Sequence, residues 1–162
     1  MPPTPDLVRQ FLRHTVATAA YRAKKPLINA PESFSTFRSG ETARVPIKIL
    51  AHIGDLFDWA LSIAQGKQSW HDSEPLPWPS EVDRFYDTIK KFDDYLASNE
   101  PLHASPEKLF QGPIADALSH IGQLALLRRL SNCAIRGENY YQAEITAGRL
   151  GPDQSAPRRE FD

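Results

Sequence analysis

The chain has 162 residues, enough for one domain with a sizeable core, and its 41% hydrophobic and 24% charged content is that of a soluble globular protein. A net charge of −1 gives no pull on nucleic acid or an acidic membrane, and the single cysteine, Cys133, excludes an internal disulfide framework and a multi-cysteine zinc site. The opening Met-Pro-Pro-Thr-Pro has neither the basic nor the apolar region of a signal peptide, and no apolar run is long enough to span a bilayer. A cytoplasmic protein with no nucleic-acid and no membrane partner is expected.

Four helical segments are predicted, with little strand signal. The first runs from about Pro5 to Lys25, where Leu7, Phe11, His14, Thr18 and Tyr21 recur at helical spacing as one stripe. Pro26 to Glu41 is a long connection. The second helix starts near Thr42 to Pro46 and ends near Gly66, with Ile49, Ile53, Leu56, Phe57, Ala60 and Ala64 as a broad apolar face. Gln68 to Pro79 carries prolines that exclude a regular helix there, and Ser80, with Asp83 three residues on, reads as an N-cap. The third helix turns Val82, Phe85, Tyr86, Ile89, Phe92 and Leu96 inward. Its outer row of Asp83, Arg84, Asp87, Lys90, Lys91 and Asp94 reads as a solvated surface. Ser105-Pro106-Glu107 starts a single turn, and Gly112 and Pro113 open a fourth helix that ends near Asn132. The tail, about 134–162, is polar and irregular, but Tyr140, Tyr141, Ile145, Leu150 and Phe161 predict that it packs on the bundle. The fold class expected is a single-domain, all-α four-helix bundle over residues 1–162, with connections loose enough for a crossover topology.

Asp116 and His120 are four residues apart, so they share one side of the fourth helix. Asp116 is the only formal charge between Pro113 and Leu127. A helix so bare of charge is expected to be enclosed, where an acid and an imidazole are costly unless they bind each other, a metal or a substrate. His52 lies at the edge of the second helix's apolar face. If the first two helices run antiparallel, position 14 faces about position 54, which puts His14 and His52 at similar heights. His120, two turns into its own helix, could converge on them. Two imidazoles and a carboxylate suit one divalent ion such as Zn²⁺, Ni²⁺ or Fe²⁺, with positions left open for water or a thiolate. The alternative is an Asp116–His120 pair that orients the ring through one hydrogen bond and holds no metal. His71 and His103 read as solvated loop imidazoles, and Cys133, just beyond the fourth helix, as a buried structural thiol. His-Glu-x-x-His, P-loop, Gly-x-Ser-x-Gly and the Glu-x-x-His pairs of di-iron bundles are absent.

Together, Ile49-Leu50-Ala51-His52-Ile53-Gly54-Asp55-Leu56-Phe57-Asp58-Trp59 and His120-Ile121-Gly122-Gln123 resemble the DinB-like (DinB/YfiT) superfamily of four-helix bundles. The resemblance covers most of the chain, from the first helix to the end of the fourth. Members typically hold a divalent metal at one end of the bundle through a histidine on the second helix and a His-x-x-x-His pair on the last, often continued as Arg-Gly-Gln. His52 matches the second-helix histidine, and His120 matches the second of the pair because Gly122 and Gln123 follow it. The first of the pair falls on Asp116, a departure that keeps a legitimate ligand. His14 could supply the missing imidazole, though the family pattern does not call for it.

Relatives with assigned activity are thiol-dependent enzymes, including bacillithiol and mycothiol S-transferases and a maleylpyruvate isomerase. The resemblance thus implies a metal-dependent transfer or hydrolysis on a small-molecule substrate, with a low-molecular-weight thiol as cosubstrate. His14, Tyr21 and Gln123 are the candidates to orient the second reactant. The Trp70–Trp78 loop or the tail would shield the site. A homodimer is also implied, with the tail's apolar residues as its contact or as a lid. The competing expectation is a non-catalytic binding or stress-response bundle whose metal site is vestigial or empty.

Overall fold

The computed structural model describes residues 6–161, so Pro5 and the Met-Pro-Pro-Thr-Pro opening lie outside the described residues. The protein is mostly helical, with α1 (Leu7–Leu27), α2 (Pro46–Ala64), α3 (Trp78–Ala97), the single turn α4 (Pro106–Leu109) and α5 (Ala115–Leu130). A wide π turn, Phe110–Ile114, joins α4 to α5. Asp6 starts α1 by accepting hydrogen bonds from the backbone N–H groups of Val8 and Arg9 at 3.1 and 3.0 Å, which satisfies two of the donors a helix start leaves unpaired.

Both α1 and α2 pack against α3 and α5, so α1 and α2 lie diagonally across the bundle. Arg13 near the start of α1 pairs with Asp93 near the end of α3 at 2.8 Å. Arg128 near the end of α5 donates to the carbonyls of Pro26 and Ile28, at the end of α1, at 3.1 and 3.0 Å. These contacts make α1 antiparallel to α3 and parallel to α5. In turn α2 runs antiparallel to α5 and alongside α3 in the same direction. The connection 65–77 must therefore return along the whole of α2, roughly 28 Å at ~1.5 Å per helical residue. Its prolines, which forbid a helix, keep it extended enough to do so. The crossover topology is thus realised.

The core face of α1 differs from the predicted stripe. Leu12, Val16, Ala19, Ala23 and Leu27 are buried, while Leu7 and Phe11 are 71% and 66% exposed and His14 is exposed. Leu12, Val16, Ala19 and Ala23 have the same helical spacing as the stripe. The small side chains of Ala19 and Ala23 let neighbouring helices approach closely, and bulky residues at those two positions would hold the helices apart. The start of α3 also differs. The helix begins at Trp78 with Pro77 as its cap and Pro79 in its first turn, ahead of Ser80, whose side chain makes no cap bond. First-turn N–H groups have no helical acceptor, so prolines cost nothing there.

The fourth long helix, α5, is not enclosed either: Gln123 is exposed, and Leu126 and Leu130 are 55% and 52% exposed. The tail packs chiefly on α1. Its Leu150 enters the core, its Tyr140 meets Tyr21 edge-on at 6.2 Å, and Gly137–Glu138 pairs antiparallel with Glu160–Phe161. This short ladder gives order to a segment expected to be irregular, while Tyr141 stays 98% exposed. Among the described residues, no helix is long and apolar enough to cross a membrane.

Candidate metal centre

Antiparallel packing of α2 on α5 brings His52, Asp116 and His120 together, with one ligand atom from each lying within 4.8 Å of the others. Asp116 bridges the two imidazoles: Oδ2 lies 3.6 Å from His52 Nε2 and Oδ1 lies 3.4 Å from His120 Nε2. The two rings are edge to face, 4.7 Å apart and at 89°. Asp116 sits in the first turn of α5 directly after the π turn, a widened turn of the kind that recurs at functional sites.

The proton positions decide what this arrangement can do. Gln123 turns its carbonyl Oε1 to His120 Nδ1 at 2.9 Å, a contact that suits the tautomer in which Nδ1 donates. In that tautomer a neutral ring presents the Nε2 lone pair toward a carboxylate oxygen. Burial pushes the His52 pKa below its ordinary 6.5, helped by the neighbouring His120 and Arg44 and opposed by Asp116. His52 is therefore neutral at pH 7. A neutral His52 can either donate from Nε2 to the carboxylate or turn the lone pair of that atom toward a cation. Ligands at ~2.05 Å from a tetrahedral ion stand roughly 3.3 Å apart, close to the two distances observed. The three ligand atoms together spread over as much as 4.8 Å, and the donor set is one that could hold a metal ion. Asp116 is 49% exposed, so a buried, unpaired acid is not what drives this fit.

Two clefts flank the cluster. On the His52 side a cleft of about 420 Å³ is lined by polar groups including Arg44, Lys48, Asp72 and Glu74. Trp70 meets the His52 ring edge-on at 5.5 Å and Trp59 at 5.7 Å. On the His120 side a cleft of about 370 Å³ is walled by Ile49, Leu126, Leu127 and Leu130. Arg44 borders both.

The returning segment is pinned by a second polar cluster, one turn along α2. Asp55 is 3% exposed, and its Oδ1 accepts from Arg84 Nη1 and Nη2, both at 3.1 Å, and from the Ser73 hydroxyl at 2.6 Å. Its Oδ2 accepts from the Ser73 N–H at 2.9 Å. Arg84 also donates to Glu81 at 3.1 Å and to the Ala51 carbonyl at 2.6 Å, and Glu81 accepts from the Leu76 N–H at 3.0 Å. Arg84 thus turns inward from the row expected to be solvated. Gly54 makes the room, since a Cβ there would stand 2.8 Å from the guanidinium carbon. Asp55 breaks an apolar helix face much as Asp116 does, and that is the signal by which its burial could have been foreseen.

The other predicted site residues divide clearly. Gln123 joins the centre through His120. His14 is exposed on the helix diagonal to α2 and stays outside the cluster. Tyr21 is buried against the tail, where its hydroxyl donates to Glu138. Of the Trp-rich loop, Trp70 covers His52, whereas Trp78 packs on Phe34 at 5.5 Å. No tail residue lines either cleft. His71 is exposed, and His103 lies against Gly66, whose φ of 76° ends α2. Cys133 is half-buried, with its sulfur 3.1 Å from the Ser131 hydroxyl. No family model, curated protein or solved structure matches this chain.

Proposed function

We propose that this protein is a metal-dependent enzyme of the DinB-like kind, holding one divalent ion (Zn²⁺, Ni²⁺ or Fe²⁺) through His52, Asp116 and His120. Its reaction is a transfer or hydrolysis on a small molecule, with a low-molecular-weight thiol as cosubstrate. The observation that carries this reading is the convergence of two imidazole Nε2 atoms and both carboxylate oxygens at 3.4 and 3.6 Å. A divalent ion held there supplies Lewis acidity and lowers the pKa of a coordinating water or thiol. Gln123 fixes the His120 tautomer, Trp70 keeps water off one flank of His52, and the half-exposed Asp116 leaves the centre open to reactants. The polar cleft beside His52, with charges of both signs, suits a zwitterionic thiol.

The test is metal content by mass spectrometry, on protein prepared without a metal-affinity tag, beside His52→Ala. About one equivalent in the parent chain, lost in the variant, supports the centre. No metal in either, even after incubation with Zn²⁺ and Ni²⁺, selects the second reading of a non-catalytic bundle. The half-exposure of Asp116 favours that reading, because a solvated carboxylate can bridge two imidazoles if one of them is protonated. The homodimer would form through Leu7, Val8, Phe11 and Phe110, four large apolar side chains exposed at one end of the bundle. Light scattering tests it.

A further inference from the structure

The two clefts beside the metal cluster differ in charge. In the cleft on the His52 side, Asp72 and Glu74 offset Arg44 and Lys48. In the cleft on the His120 side, Arg44 is the only formally charged lining residue. Ser39, Thr42, His120 and Gln123 add neutral polar groups, and Ile49, Leu126, Leu127 and Leu130 form an apolar side of which Leu126 and Leu130 hold more than half their surface in solvent. Arg44 makes no hydrogen bond or ion pair among the described residues, so its five N–H donors are uncommitted. Its charge nevertheless acts on His52, one of the groups that depress the His52 pKa. An arginine, a row of apolar side chains and the candidate metal cluster's His120 thus border one cavity of about 370 Å³, within the range of small-ligand sites.

We propose that the cleft on the His120 side is the subsite for a small organic anion with an apolar body. Its carboxylate would lie on Arg44 and its body on Leu126, Leu127 and Leu130. A guanidinium presents paired donors that match the two oxygens of a carboxylate, and a neutral or cationic head group forfeits that match. The leucines give no reason to select a polar body. As the substrate class of the metal centre this inference rests on the metal-dependent reading, but the binding itself requires only Arg44 and the leucines.

The test is a titration of ¹⁵N-labelled protein, with and without Zn²⁺, followed by NMR. The probes are 3-phenylpropanoate, 3-phenylpropan-1-ol and 3-phenylpropylammonium, which share one body and differ in head-group charge. The carboxylate should bind about tenfold tighter than the alcohol and the ammonium weakest, as a charge-assisted pair at a partly exposed site allows. Its shifts should centre on Thr42, Gln123 and Leu126. Arg44→Gln, at an exposed position, should abolish the preference without changing metal content. Lys48→Gln should leave the preference intact, and Leu130→Ser should weaken carboxylate and alcohol alike.

Equal binding of carboxylate and alcohol overturns the inference, as does a preference that survives Arg44→Gln or shifts centred on the other cleft. Protein that takes up Zn²⁺ but shows no preference rejects this subsite and leaves the metal centre standing. Protein that takes up no metal but shows the Arg44-dependent preference does the reverse.

Discussion

His52 and Asp55 stand one turn apart on α2, and each belongs to a cluster of acid and base, yet the two clusters are built differently. Around Asp55, Arg84 and Glu81, hydrogen bonds of 2.6–3.1 Å fill the carboxylate positions and involve the backbone of Ala51, Ser73 and Leu76. Around His52, Asp116 and His120, the facing atoms stop at 3.4 and 3.6 Å. The first cluster is complete without a ligand and ties chain segments together. The second has no hydrogen bond of that kind between Asp116 and either ring. Residue type would not separate the two, since both contain buried or half-buried charge on the same helix. What separates them is whether the protein itself supplies the donors.

The largest expected effect lies in the complete cluster. Arg84→Ala leaves Asp55 and Glu81 buried without their cation and should cost about 3–5 kcal/mol in urea unfolding. Metal-free His52→Ala, by contrast, should lose under about 1 kcal/mol, as expected for a partly exposed group with no closed hydrogen bond. Equal losses would erase the distinction.

Next in size is Gln123→Ala. Removing the partner that fixes a ligand's tautomer should weaken Zn²⁺ binding 10–100-fold by competition with a chromophoric chelator, a typical cost for an outer-shell partner. An unchanged affinity would mean that Gln123 does not set the His120 tautomer. For Gly54→Ala, a methyl group displaces the Arg84 guanidinium. The net loss should be about 1 kcal/mol, although alanine alone would favour the helix by ~0.8–1 kcal/mol. A gain in melting temperature would show that Arg84 finds equivalent bonds elsewhere.

The smallest effect is on pH dependence. The folded His52 pKa lies below its ordinary 6.5, so the unfolded chain holds that proton more tightly. The metal-free fold should therefore keep its His52 contribution above about pH 6.5 and lose it as pH falls through the lower folded pKa. His52→Ala should flatten that slope in a series of unfolding curves.

Much of the helical layout can be read from the sequence, because the segments are long and periodic and proline and glycine mark their ends. The His52, Asp116 and His120 cluster is legible for two reasons: the i,i+4 spacing fixes one pair, and His52 stands at the edge of the second helix's apolar face at a depth where it could meet them. Enclosure was the wrong ground for it, since Asp116 and one side of α5 meet solvent. The buried face of α1 escapes a search for large side chains because alanine makes much of it. The exclusion of His14 depends on α1 and α2 being diagonal, a property of helix order that no local pattern carries. Arg84 escapes because its row on α3 is otherwise charged, and only Gly54, on another helix, makes its inward path open.

The diagonal placement of α1 and α2 also bears on the order of events as the chain is made. These two helices are synthesised first yet pack chiefly on others, each being held by α3 and then α5. His52 therefore exists well before Asp116 and His120 arrive on the last helix. The three side chains meet only when α5 closes the bundle, so an ion that required all of them would record a finished fold and would not template one.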